Sequence, residues 1–213
     1  MERKIFLIAA IIAWAMPALS QELRKSPVAQ GAVTPQVMDE RLKDLAQDVK
    51  SKRQNVDRIA KIDFAWPQDA EEYRALNKNV LILVTVVTKD EKELPLRRVY
   101  LQNDGRDVAL KKLTSERRDV PKDSPAYSVL GPFREDSFYL APAGLMMREG
   151  FVVVDFAIKR KGFRIYELPG SPPDFVQADK RPMPGATAKI DLKAVRAMME
   201  REYTGFVQPD NLP

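Results

Sequence analysis

The chain has 213 residues, a net charge of +5, and neither cysteine nor histidine. The missing Cys excludes disulfides, thiol nucleophiles and thiolate metal sites, and the missing His excludes a Ser-His-Asp triad, an imidazole base and the usual catalytic zinc site. At 45% hydrophobic and 31% charged residues, the composition is that of a globular domain with appendages.

Met1-Glu2-Arg3-Lys4 is a basic start, and Ile5 to Met16 is a run of twelve apolar residues. A bilayer needs about 20 such residues. Ala18 and Ser20 are small residues two apart, as signal-peptidase cleavage requires. Residues 1–20 therefore read as a signal peptide, and the expected location is periplasmic or secreted. Residues 21–33 read as a flexible leader.

Thr34 and Pro35 supply an N-cap and a first-turn proline for an amphipathic helix expected over 34–63. Its apolar stripe is Met38, Leu42, Leu45, Val49, Val56 and Ile59, with Lys52 in the seam and Arg58 among the polar residues opposite. The stripe either packs on the chain's own β-domain or pairs with a partner helix. Phe64-Ala65-Trp66-Pro67 is expected to end the helix and anchor it.

A β-domain is expected over 71–170. Val80 to Thr88 is apolar and β-branched, as a central strand covered on both faces would be. Arg97 to Asn103 alternates, Asp104-Gly105 is a hairpin signal, and Asp107 to Leu113 returns with Val108 and Leu110 inward. Thr114 to Pro125 reads as a polar connection. Tyr127–Leu130 and Ser137–Leu140 read as short strands, and Phe151 to Ile158 as a second strong one. A tight turn at Lys159–Gly162 leads into Phe163–Leu168. About seven strands in some ninety residues match an antiparallel β-sandwich of immunoglobulin or fibronectin-III size. The fold class is mainly β, with the N-terminal helix and a short C-terminal one. Residues 171–213 read as a Pro-rich segment, a helix capped by Asp191 with Leu192, Val195, Met199 and Tyr203 on one face, and a tail.

No phosphate loop, nucleophile elbow or serine-lysine pair occurs. Glu135-Asp136 reads as a solvated acidic cluster. Asp155, inside an apolar strand, falls on the face opposite Val152, Val154 and Phe156. The remaining signal is positive charge: Arg97, Arg98, Lys159, Arg160, Lys161 and Arg164 are the candidate binding residues, expected on adjacent strands. No cofactor or metal is expected. The sequence reads as an exported, non-enzymatic binding or assembly module of the cell envelope with a protein partner. The alternatives are a binder of anionic envelope polymer or lipid headgroups, and a small enzyme using carboxylates. Nucleic acid is not an expected partner.

Overall fold

A computed structural model describes residues 35–52, 58–67, 70–89, 96–157, 163–166, 174–176 and 185–202. Residues 1–34, where a signal peptide and leader are expected, Val56, Lys159–Lys161 and residues 203–213 lie outside the described residues, as does most of the segment expected to be Pro-rich.

The elements in chain order are α1 (Pro35–Ser51), β1 (Arg58–Ala65), α2 (Ala70–Ala75), β2 (Asn79–Thr88), β3 (Leu96–Asn103), β4 (Arg106–Ala109) and β5 (Lys111–Asp119). They continue with α3 (Pro125–Leu130), β6 (Phe133–Pro142), α4 (Ala143–Met146), β7 (Phe151–Ala157), β8 (Phe163–Tyr166), β9 (Asp174–Val176), β10 (Gly185–Asp191) and α5 (Leu192–Glu202). The strands form a six-stranded sheet ordered β5-β6-β2-β1-β8-β9 and a four-stranded sheet ordered β10-β7-β3-β4. Pairing is antiparallel except between β1 and β8. The chain is thus mainly β, with two sheets and a few short helices.

One apolar cluster draws on both sheets. The larger sheet supplies Ile62, Val80, Ile82, Val84 and Phe163, while the smaller supplies Val99, Leu101, Val154 and Phe156. Val195 and Met199 of α5 join them. Period-two alternation sends the odd positions of β2 to the other face of the larger sheet. There Val87 and Ile59 meet Leu42, Leu45 and Val49 of α1 and Leu130 of α3, and Leu81 meets Leu76 beside α2. The strand expected to be covered on both faces is covered on both: β2 is buried from Val80 to Thr88.

Several expectations are corrected. The helix ends at Ser51, and Arg58–Ala65 is a strand between β2 and β8 rather than the last helical turns. Ala60, Ile62 and Phe64 alternate into the core, and this period-two signal outweighs the helical spacing of Ile59. Arg58, expected in solvent, is buried. Thr114–Asp119, expected in a polar connection, continues the edge strand β5, and the return strand expected over Asp107–Leu113 is divided between β4 and β5, with Val108 exposed at the sheet edge rather than inward. Tyr127–Leu130 belongs to helix α3, whose start is set by Ser124: its hydroxyl accepts from the Ala126 N–H at 3.3 Å, and Pro125 follows as the first helical residue. The sheets also reach beyond 71–170, since β1 and β10 belong to them. Asp191 does cap α5, accepting from the Lys193 N–H at 2.8 Å. Asp104 and Gly105 close the β3–β4 hairpin with φ of 49° and 72°, the paired positive values of a type I′ turn.

Candidate functional site

Alternation along β3 turns Val99 and Leu101 to the core and leaves Arg98, Tyr100 and Gln102 on the opposite face. Directly paired residues share a face, so Asp155 and Val153 of β7 and Thr187 and Lys189 of β10 stand there too. Among the described residues none of these side chains belongs to an apolar cluster, although Val153 and Tyr100 are themselves buried.

This face is organised around Asp155. Arg98 donates through Nε to its Oδ2, and Thr187 donates through Oγ1 to its Oδ1 at 2.9 Å. The guanidinium carbon of Arg98 lies 4.4 Å from the centroid of the Tyr100 ring. Lys189 Nζ lies 4.2 Å from that of Phe151, its diagonal neighbour across the strands. Gln102 Nε2 donates to Asp107 Oδ1 at 3.1 Å. The Asp155 hydrogen bond and charge raise the Arg98 pKa. Burial raises that of Tyr100; the Asp155 charge adds to this, and Arg98 opposes it. Asp155 is thus partly exposed on the non-core face, where alternation puts it, with two donors.

The candidate basic residues that are described do not converge. Arg97 and Arg98 are in β3 of the smaller sheet, whereas Arg164 is in β8 of the larger one, paired in register with Ile59. Lys159, Arg160 and Lys161 lie outside the described residues. β7 and β8 do not form the hairpin that a tight turn between them suggests, because they belong to different sheets. Of the helix stripe, Leu42, Leu45 and Val49 are buried against the chain's own sheet. Met38 lies in α1, and Ile59 meets the stripe from β1.

A second polar site occupies the β5–β6 edge of the larger sheet. Glu135 and Asp136, expected in solvent, are buried on opposite faces of β6. Asp136 pairs with buried Arg134, Nη2 to Oδ2 at 2.7 Å and Nε to Oδ1 at 3.0 Å, and accepts from Thr85 Oγ1 at 2.7 Å. On the other face Glu135 Oε1 lies 3.3 Å from the hydroxyls of both Ser115 and Ser137, which are 2.8 Å apart. Two hydroxyls hold two protons for these three contacts, so the trio shares them as a chain. Arg117 donates through Nε to Glu135 Oε2 at 3.3 Å. A cavity of about 180 Å³ opens beside this group, bordered by Thr88, Arg117, Phe133, Arg134 and Glu135 among others. Burial, with the Glu135 charge added, raises the pKa of nearby Tyr139.

Sequence reasoning missed this corner because its strand β5 lacks apolar alternation. The available signal was β6 itself, where Phe133, Phe138, Tyr139 and Leu140 bracket the polar run Arg134–Ser137. No protein-family model, curated protein or solved structure matches this chain.

Proposed function

We propose that the protein is an exported, non-enzymatic binding module of the cell envelope that holds a protein partner on the outer face of its smaller sheet. In this reading the two sheets are the layers of a β-sandwich of immunoglobulin-like size, backed by α1 and α3. The observation that carries the proposal is the ordered row Arg98–Asp155–Thr187 beside Tyr100, Phe151 and Lys189, on a face that, among the described residues, feeds none of the apolar clusters. Arg and aromatic residues held by their neighbours are what protein interfaces enrich, because little side-chain entropy is lost when they are covered. A cation lies over one face of each ring, which takes that face away from sugar stacking. Arg98 is paired with Asp155, which removes one cation from an anionic-polymer site and favours the protein-binding reading. The signal-peptide pattern of residues 1–20 supports export.

Site-specific photocrosslinking in cells tests the proposal. A photoreactive residue at position 189 should give one discrete adduct in the envelope fraction, lost when Arg98→Ala is added. The same probe at exposed Lys43 of α1 should give none. Equal adducts at both positions, or none at 189, would sink the reading. Salt-sensitive binding to anionic vesicles without any protein adduct would favour the lipid alternative.

A further inference from the structure

The cavity at the β5–β6 edge lies on the core-side face of the larger sheet, away from the Asp155 surface, and its chemistry is independent of the partner proposed for that surface. Arg117 is 63% exposed and is anchored only through Nε, which Glu135 holds at 3.3 Å. Neither Nη makes an ion pair or hydrogen bond among the described residues, so the outer edge of the guanidinium fork is open beside the cavity. Glu135 cannot swing away freely. Its Oε1 is tied to Ser115 and Ser137, it is buried, and its strand is paired on both sides. The other two arginines bordering the cavity have carboxylates of their own, Glu116 for Arg118 and Asp136 for Arg134, and the border also carries the Asp119 carboxylate, paired in register with Phe133, so an entering anion has Arg117 alone to offset that charge. One guanidinium is therefore oriented and half-satisfied, which is the arrangement that takes a planar anion through paired N–H groups.

We propose that this corner binds a carboxylate, with the two Nη groups of Arg117 donating to its two oxygens and the carbon chain behind it resting on Phe133. The chemistry follows from Phe133, which also borders the cavity. Phe133 is only half-buried and offers apolar surface, which suits the short aliphatic part of a carboxylic acid better than a fully hydrated tetrahedral anion. The volume, about 180 Å³, admits a group of a few heavy atoms. A free short-chain acid and a Glu or Asp side chain on a peptide share this chemistry.

The test is titration of the whole protein, followed by amide NMR at constant ionic strength. The probes are sodium propionate, inorganic phosphate, and a capped Gly-Glu-Gly peptide beside its Gln counterpart. Propionate should give saturable shifts at Thr88, Arg117 and Phe133. Arg117→Gln should weaken binding by about tenfold or more, and Arg117→Lys by less, since an ammonium keeps the charge and loses the fork. Because Arg117 is exposed, both variants should keep the wild-type spectrum elsewhere. A Glu peptide that outcompetes propionate, with its Gln counterpart silent, identifies a peptide side chain as the ligand. Equal affinities identify a free acid. Linear shifts, saturable shifts unchanged in Arg117→Gln, or phosphate binding tighter than propionate would overturn the assignment.

Discussion

Val154 has no exposed surface and sits between Val99 and Ala188 in the register of the smaller sheet. Close-packed neighbours on both strands leave little room for collapse, so Val154→Ala should cost about 2 kcal/mol in a denaturant titration. A loss under about 0.5 kcal/mol would mean that the strand is peripheral. Two phenols make a different residue-scale prediction. Tyr100 and Tyr139 both have pKa values raised chiefly by burial. The unfolded chain releases these protons first, at about pH 10, so their contribution is complete below that pH and is lost as the pH rises through the folded-state values. Denaturation midpoints should fall between about pH 9.5 and 11, and Tyr139→Phe should flatten that fall. An unchanged slope would remove Tyr139 from the account.

Turns and helices set the predictions at the scale of elements. Gly105, at φ 72°, would meet nothing within 4 Å if it carried a Cβ, so Gly105→Ala should cost only the backbone strain, about 1 kcal/mol. Gly150, at φ 147°, enters β7 with its Cβ position against the Gln102 carbonyl oxygen and the Asn103 side chain. Gly150→Ala should therefore destabilise clearly more than Gly105→Ala in thermal melts, and the reverse order would contradict the packing of β7 on β3. The helix α1 lies on β1 and β2 in its own chain, with Tyr166 donating to Asp48 Oδ2 at 3.1 Å. A chain starting at Gln54 should lose stability and stay monomeric by sedimentation. A chain starting at Glu71 should fail to fold, because it also removes β1 from between β2 and β8. If removal of α1 changes neither stability nor mass, the helix contributes nothing to the fold. The element most legible in the sequence was β2, since a run buried on both faces must be apolar throughout. β5 was illegible for the converse reason: an edge strand with one side unpaired needs no apolar alternation, and Lys, Arg and Glu there guard against stray pairing.

For the whole molecule, among the described residues, the larger sheet is covered on both faces, by the shared core on one and by helices on the other, whereas the smaller sheet feeds the core from one face only. The export expectation belongs to this scale. Mass spectrometry of the exported protein should find Gln21 as its first residue, and an intact Met1 in a membrane fraction would refute cleavage after Ser20. The core positions Val84, Val99, Val154 and Phe156 were readable from period-two alternation, because a strand with one face in the core must repeat every second residue, whereas Leu110 is buried between β4 and β5 and Val108, expected inward with it, is exposed. The Asp104-Gly105 hairpin and the Asp191 cap were readable because each rests on contacts within a few residues. Partnership between distant strands carries no such local signature. Only the tertiary structure separated β7 from β8 into different sheets, placed β1 parallel to β8, and set Arg98 on Asp155 rather than beside Arg164. It alone buried Glu135 and Asp136, since a charged run can enter a central strand only when its neighbour Arg134 is joined by Thr85, Ser115 and Arg117 from other strands to satisfy it.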